Sequence, residues 1–362
     1  GVQTCALPIC RHAKRAAELG MPAVGITDHG NMHGAYELWR AAVDSGVKPI
    51  IGIEAYVTPE TARQDKTRVS WDTNWTPVPG HARNPDDVSG GGLITHLTMW
   101  AENDEGLVNL IKASSVANLE GRVMRYPRMD KEVLSTYSKG VIASSGCPSG
   151  IIQTRLRLGQ FDEALRAAGE FQDIFGKDNF YIELMDHGLS IESKVTGDLL
   201  TIAKKLGAPL LATNDSHYVM EADKDAQDAM LCINSGATLD DPNRFKFEGS
   251  GYYIKSAEEM RELFKDHPDA CDNTLEIAER CNVIFDDHED GAFMPQFDCP
   301  EGWDETSLFL KKVEEGLEKR YDGNPPMEVL KQADYECGVI CQMQFCGYFL
   351  VVADYINWAK EH

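Results

Sequence analysis

The stretch that decides the fold is Ala23-Val24-Gly25-Ile26-Thr27-Asp28-His29-Gly30-Asn31, an apolar run of strand length that ends in a carboxylate and an imidazole. An unbroken run of small and apolar residues of this length predicts a buried strand. Gly30 allows the backbone to turn away directly after His29. A buried histidine with a local partner would explain this single strand equally well. The pattern therefore predicts chemistry at a strand end only if other strands repeat it.

Further strand-like runs are followed by residues whose side chains commonly bind metals. The runs are 48–53, 93–95, 140–146 and 209–214, and the side chains that follow them are Glu54, His96, Cys147, Asp215 and His217. Imidazole, carboxylate and thiolate groups that converge from successive strands suit zinc, manganese or iron better than magnesium, which prefers oxygen donors. The repetition predicts a metal site where these side chains and His29 meet.

Helical patterns alternate with the strands as far as about residue 270. The predicted helices cover 11–19, 34–45, a segment from 103, 150–175 and 192–206, and a further strand covers 180–184. Alternation with functional residues only at the C-terminal ends of strands predicts a β/α barrel. An open, doubly wound sheet is the alternative. Residues 58–90 are polar and rich in proline and glycine, which predicts a long surface excursion.

The two ends of the chain lack the alternating pattern of strands and helices. Residues 1–9 resemble a translated sequencing adapter, so we interpret 1–10 as a leader and expect the native sequence to begin near Cys10 or Arg11. Beyond about residue 270 no strand pattern alternates with helices, and three helices are predicted at 305–321, 327–343 and 348–360. A chain of 362 residues is expected to form two domains.

Composition limits the classes of function. The chain has 58 acidic and 35 basic residues and a net charge of −23, which argues against a nucleic-acid clamp formed by this piece alone. Ten cysteines without a Cys-x-x-Cys pair predict a reducing cytoplasm rather than a disulfide framework. No segment has the length and apolarity of a membrane span, so we expect no membrane partner.

Six motifs in chain order resemble the alpha-subunit family of bacterial replicative DNA polymerase III, of actinobacterial type. They are TDHGN at 27–31, GIEAY at 52–56, THLT at 95–98, SGCPSG at 145–150, NDSHY at 214–218 and GYFLVVADY at 347–355. The resemblance implies that 11–278 form a polymerase and histidinol phosphatase (PHP) domain, a distorted (β/α)7 barrel. It further implies that 279–362 are a mainly helical segment that opens the polymerase palm.

The same resemblance implies a set of metal ligands. The family's PHP site binds up to three metal ions through nine ligands, and the six that correspond here are His29, Glu54, His96, Cys147, Asp215 and His217. Asp215 and His217 are also expected to be catalytic. The family's His-x-His pair and later Asp are expected before Arg11, and His12 does not match them, so three ligands are expected to be missing. Asp28 is expected to orient His29 rather than to bind metal.

The family implies two activities for the full-length protein. The first is DNA-directed DNA synthesis with magnesium, on DNA and deoxynucleotides, beside the sliding clamp and other replisome subunits. The second is 3′–5′ proofreading by the PHP site with zinc or manganese. The palm aspartates are expected beyond His362, so this chain should incorporate no nucleotides. A stand-alone PHP phosphoesterase and a catalytically silent PHP scaffold remain alternatives; the first would end near residue 270, and the second would tolerate replacement of the ligands.

A few residues have weaker signals. His33 is expected on a solvated helix face, with a contact to substrate as the alternative. Asp186 and His187 also end a strand and could lie at the rim of the barrel mouth. Arg155 and Arg157 are expected to be surface charges, with a phosphate contact as the alternative.

Overall fold

The computed structural model describes residues 8–78, 83–285 and 295–362. The chain divides into two compact units, Gly1–Phe285 and Asp286–His362. Residues 1–7 of the predicted leader lie outside the described ranges, and Pro8 directly precedes the first helix. The boundary predicted between 278 and 279 stays a prediction. Residues on its far side pack within the first unit, since Cys281 is buried and Arg280 donates to Glu102.

The first unit holds all of the described strands. They are β1 (Ala23–His29), β2 (Lys48–Val57), β3 (Thr95–Ala101), β4 (Arg128–Met129), β5 (Val141–Ser144), β6 (Phe180–Leu184) and β7 (Leu210–Ala212). Its helices are α1 (Ile9–Glu18), α2 (Ala35–Asp44), the single turn α3 (Ser89–Gly92), α4 (Asp104–Leu119), α5 (Lys131–Thr136), α6 (Ile151–Arg157), α7 (Phe161–Phe175), α8 (Ser190–Leu206), α9 (Lys224–Ser235), α10 (Ala257–Leu263) and α11 (Pro268–Arg280).

The strands form one mixed sheet in the order β1-β2-β3-β5-β6-β7, with β4 paired to β2. The sheet curls into a half-barrel flanked by helices, which confirms the α/β class. Pairs β1–β2, β5–β6 and β6–β7 are parallel. Among the described residues no ladder joins β7 back to β1. The half-barrel is therefore open between these two strands.

The expectation that ligands occur only at C-terminal strand ends is wrong for two strands. β3 runs antiparallel to both β2 and β5, so His96 lies near its beginning. This reversal brings the start of β3 to the edge where the parallel strands end, which places His96 there despite its position in the chain. β2 continues to Val57 to pair with β3 and β4, so Glu54 lies inside the strand.

Apolar side chains cover both faces of the sheet. One large cluster packs the strands against α1, α2, α4, α6, α7 and α8. A second cluster holds Trp100, Ile142, Tyr181 and Leu211 from four strands, closed by Ile277 of α11. A sheet buried on both sides explains why its strands read as nearly continuous apolar runs in the sequence.

The buried cation of Arg128 helps to fasten the predicted excursion at 58–90 to the half-barrel. Arg128 is fully buried, and its guanidinium donates to the carbonyl oxygens of Arg63 and Asp65 at 2.7 Å each, of Gly121 at 3.2 Å and of Leu93 at 3.4 Å. Residues 79–82 lie outside the described ranges. A charge without contact to water is tolerated here because several backbone oxygens satisfy its donors.

The second unit contains the three predicted helices, α12 (Glu305–Arg320), α13 (Met327–Gln342) and α14 (Cys346–Glu361). Asp304 caps α12 by accepting from the Ser307 N–H. The small core of this unit joins Leu308 and Phe309 to Cys346 and Leu350. None of the nine described cysteines forms a disulfide.

No single described helix is long and apolar enough to cross a membrane. Taken together, the helices Met327–Gln342 and Cys346–Glu361 have the length and composition of a membrane span, but the chain bends by 115° between them.

Candidate metal centre

Glu54 lies at the centre of a buried group of metal-ligand side chains. Its Oε1 is 2.6 Å from His96 Nδ1, and its Oε2 is 3.3 Å from His29 Nε2. Cys147 Sγ lies 3.2 Å from Glu54 Oε1 and 3.3 Å from His96 Nδ1. The ligand atoms of His29, Glu54 and His96 all lie within 4.8 Å of one another. Four of the six predicted ligands thus meet at one point.

The register of three strands produces this meeting. His29 is the direct partner of Glu54 in the parallel β1–β2 ladder. His96 pairs with Tyr56, two residues beyond Glu54 and therefore on the same face of β2. Gly30 has a φ of +67°, and a Cβ at this position would lie 2.7 Å from the Tyr56 ring. The glycine after His29 is thus required both by the turn and by the close approach of Tyr56.

The electrostatics of the group favour an ionised carboxylate at Glu54 and a neutral imidazole at His29. Burial would raise the pKa of Glu54, but His29 and His96, with hydrogen bonds from His96 and Cys147, outweigh it and hold this pKa below its usual range. Burial lowers the pKa of His29. Burial and the nearby Glu54 charge raise the pKa of the Cys147 thiol. Deprotonated imidazoles and a carboxylate are the states that bind a cation.

Asp215 and His217 line the same cavity as Glu54 and Cys147, a space of about 470 Å³, but lie outside the close group around Glu54. Asp215 has a φ of +41°, which few non-glycine residues adopt. His217 Nδ1 lies 2.7 Å from the Asp215 carbonyl oxygen. A carbonyl only accepts, so Nδ1 is the donor of this hydrogen bond.

Two other sequence candidates lie on the wall of this cavity. Asp28 accepts a hydrogen bond from the Gly34 N–H at 2.8 Å through Oδ2, which fixes the turn after His29. Its predicted role in orienting His29 stays a prediction. His12 of α1 also lines the cavity, and burial lowers its pKa to about 4.

Glu183 is a cavity residue to which the sequence analysis assigned no role. It is buried at the end of β6, and its carboxylate accepts from the hydroxyls of Ser144 and Thr213. Burial raises its pKa to about 7. The signal was present in the sequence, since Glu183 is the one charged residue in the apolar strand 180–184.

His187 is buried, and the rim position that the sequence left open as the less favoured alternative for Asp186 and His187 stays untested. The His187 ring stacks on Tyr252 at a ring-centroid distance of 4.1 Å. Its Nδ1 is 2.8 Å from Glu192 Oε1, and its Nε2 is 2.9 Å from the Asn214 carbonyl oxygen. The ring therefore holds the segment that leads into Asp215.

Arg155 and Arg157 are not the surface charges that the sequence predicts, because both are buried. Arg155 pairs with Glu60 and lies over the Trp71 ring at 3.8 Å, and Arg157 donates to the Pro148 carbonyl. Both anchor the excursion or the loop after Cys147, because the 58–90 segment folds back over α6. His33 is exposed and lines a second cavity beside His29.

The donor set around Glu54 could hold a divalent cation. It offers imidazole nitrogen, carboxylate oxygen and thiol sulfur within a few ångströms, and Glu54 is only 5% exposed. Zinc and manganese both accept imidazole and carboxylate ligands, and thiolate sulfur is a further zinc ligand. The chemistry of the residues thus fits a metal site.

Comparison with known proteins supports a family assignment. The PHP domain family matches residues 3–187, and the family described as bacterial DNA polymerase III alpha NTPase domain matches residues 307–362. DNA polymerase III subunit alpha of Mycobacterium leprae is 50% identical over 344 residues, which are 95% of this chain and 28% of that protein. The same subunit of Saccharopolyspora erythraea is 49% identical over 347 residues, 96% of this chain and 29% of that protein.

The chain thus spans less than a third of the length of these curated relatives. A solved structure described as a proposed metal-dependent phosphoesterase from Bifidobacterium adolescentis aligns with a TM-score of 0.32 and 13% identity, over 71% of this chain and 91% of that one. The PHP match covers just over half of the chain and includes β1 through β6. The chain belongs to the PHP domain family.

Proposed function

We propose that the first unit hydrolyses the 3′-terminal phosphodiester of DNA with the help of divalent metal, within a chain that is part of a replicative DNA polymerase III alpha subunit. The observation that carries the proposal is the convergence of His29, His96 and Cys147 on the buried carboxylate of Glu54. Glu54 and the two imidazoles would hold the cation. A mixed nitrogen, oxygen and sulfur donor set favours zinc or manganese over magnesium.

The metal, when bound, supplies an acidified water and charge compensation at the phosphate. Asp215 and His217 are the proposed catalytic residues. The Asp215 carboxylate, 29% exposed at the cavity wall, would accept a proton from the attacking water. The new bond joins the water oxygen to phosphorus, the bond to the 3′ oxygen of the preceding nucleotide breaks, and a proton from solvent completes the 3′ hydroxyl. A nucleoside monophosphate then leaves, and the shortened strand keeps a 3′ hydroxyl.

The polymerase assignment extends beyond this chain. Relatives named DNA polymerase III subunit alpha support DNA-directed synthesis with magnesium, deoxynucleotides, the sliding clamp and other replisome subunits for the whole protein. The match of 307–362 to a polymerase III family favours this assignment over a stand-alone phosphoesterase. A cytoplasmic location follows from replication as the proposed role.

Release of a labelled 3′-terminal nucleotide from a single strand tests the proposed hydrolysis. We expect manganese or zinc to support release, a chelator to stop it, and Glu54→Gln to lower the rate about 100-fold, because the variant removes one negative ligand at nearly constant volume. Glu102→Gln is the control, since Glu102 follows the end of β3 opposite to His96 and pairs with Arg280. Release that is insensitive to both chelator and Glu54→Gln would contradict the proposal and leave a silent scaffold.

A further inference from the structure

A second cavity opens on the other side of the histidine ligands. It measures about 740 Å³ and is lined in part by His29, His96 and His217. We call it the aromatic groove and define it by Tyr56, Tyr126, Phe245, Phe247, Arg122 and Arg125. Nothing in the chemistry derived so far uses these six side chains.

One wall of the aromatic groove is a chain of ring contacts that starts at a metal-ligand histidine. The His96 and Tyr56 rings are 5.4 Å apart, and the Tyr56 and Tyr126 rings are 5.1 Å apart. The Arg125 guanidinium lies 5.3 Å from the centre of the Tyr126 ring. Exposure rises along this wall from the buried Tyr56 through the half-buried Tyr126 to the exposed Arg125. The wall therefore leads from the metal centre to solvent.

The opposite wall repeats this arrangement with phenylalanines. The His217 and Phe247 rings are 4.6 Å apart, and Phe247 lies 5.9 Å from Phe245. Phe247 is half-buried against Tyr252, whereas Phe245 is 62% exposed. A large apolar ring held in solvent at the mouth of a polar cavity is the kind of surface that marks a binding site.

The charge of the aromatic groove is opposite to that of the chain. The chain carries a net charge of −23, yet none of the described residues that line this groove is acidic. In the described part of the chain, neither Arg122 nor Arg125 has a carboxylate within ion-pairing distance, whereas Arg63, Arg155 and Arg166 are all paired. The neighbouring cavity holds the acidic side chains, Asp28, Glu54, Glu183 and Asp215. An anion would therefore approach the metal centre through the aromatic groove.

We propose that the aromatic groove binds the last nucleotides of a single DNA strand, with bases on Phe245, Phe247 and Tyr126 and phosphates beside Arg122 and Arg125. This inference rests on the proposed hydrolysis, because it supplies the substrate path to that site. Aromatic rings and unpaired cations side by side are what single strands require, since stacking uses the open faces of the bases and the cations meet the backbone. A duplex hides those faces, so the groove discriminates against it.

The test is binding of the 362-residue chain to a short, 5′-labelled oligodeoxythymidine, measured by fluorescence anisotropy. A chelator is present so that no hydrolysis interferes. We expect the single strand to bind more tightly than a blunt duplex. Phe245→Ala should weaken binding about 10-fold, because one stacking ring is lost. The double variant Arg122→Gln/Arg125→Gln should weaken binding and lower the slope of log affinity against log salt by about 1 to 2.

Exposed residues outside the groove provide matched controls. Arg261→Gln and Tyr335→Ala alter a 47% exposed arginine of α10 and a 68% exposed ring in the second unit, and both should bind like the unmodified chain. Any one of four results would overturn the proposal. They are no binding by the unmodified chain, equal binding of the duplex, tighter binding of an RNA of the same sequence, and unchanged binding by both groove variants. Loss of hydrolysis with intact, groove-dependent binding would instead overturn only the proposed activity.

Discussion

Glu54 and Glu183 are two buried carboxyl groups in one cavity with opposite pKa directions. Glu54 is held in its ionised form by two imidazoles, whereas Glu183 meets only hydroxyl groups and is kept partly protonated by burial. Environments that separate the pKa values of neighbouring acids allow one group to bind a cation while the other donates a hydrogen bond. This difference separates Glu54, the proposed ligand, from Glu183, which is partly protonated near pH 7.

The raised pKa of Glu183 predicts a pH-dependent stability. Its pKa of about 7 compares with 4.5 for an ordinary glutamate. Between pH 4.5 and 7 the folded chain therefore keeps a proton on Glu183 that the unfolded chain has released. The stabilisation that this proton gives is complete below pH 4.5 and is lost as the pH rises through 7. The full difference corresponds to about 3 kcal/mol. Glu183→Gln should not lose stability over this pH range and should be more stable than the unmodified chain at pH 8. The measurement is the free energy of unfolding in urea, with a chelator present.

The control for this prediction is Glu132→Gln, which changes an exposed carboxylate. It should follow the unmodified chain at every pH. A stability difference between Glu183→Gln and the unmodified chain that stays constant from pH 5 to pH 8 would show that Glu183 is ionised throughout.

At the scale of elements, Arg128 joins β4 to the excursion and so stabilises a segment that has little regular structure. Arg128→Leu replaces the guanidinium, which donates to four carbonyl oxygens, with a shorter apolar side chain that has no donor. Buried acceptors left without donors should lower the free energy of unfolding by about 3 kcal/mol. Urea unfolding measures this loss, and limited proteolysis should cut first within 58–92.

The matched control is Arg68→Leu, an exposed arginine of the same excursion that donates to the Gly90 and Gly91 carbonyls. We expect it to cost less than about 1 kcal/mol, because water replaces its hydrogen bonds. Equal losses in the two variants would mean that burial of Arg128 adds nothing to the stability of the excursion.

The direction of β3 shows which part of the fold the sequence could predict. Runs such as 23–28, 48–53 and 180–184 are mostly apolar and of strand length, so the presence of these strands was predictable. Strand direction has no local signal, because it depends on how distant segments pair. The antiparallel β3 and the length of β2 beyond Ile53 were therefore missed.

The same limit applied to the site. Residue type and repetition at strand ends pointed to His29, Glu54, His96 and Cys147. The burial of Arg155 and His187 was not predictable, because it depends on Glu60 and Glu192, whose partners are set by tertiary packing. The aromatic groove was equally hidden, because Tyr126 and Phe245 are more than a hundred residues apart in the chain.

At the scale of the whole molecule, two cavities of opposite charge meet at the histidine ligands. His217 lines both of them, with acidic groups on one side and arginines and aromatic rings on the other. This polarity suits an anionic substrate that enters from one side towards a cation held on the other. The strongly acidic surface elsewhere would discourage binding of nucleic acid away from the groove.

The most direct test of the central claim is an anomalous difference map from crystals of the chain soaked in manganese or zinc. A metal bound as proposed gives its strongest peak at the Glu54 carboxylate, with Glu54, His29 and His96 donor atoms at about 2.0 to 2.3 Å and Cys147 Sγ close by. The peak should vanish in Glu54→Gln crystals soaked identically. A map without a peak at Glu54, or with its main peak on exposed carboxylates, would contradict the metal centre and the hydrolysis proposed from it.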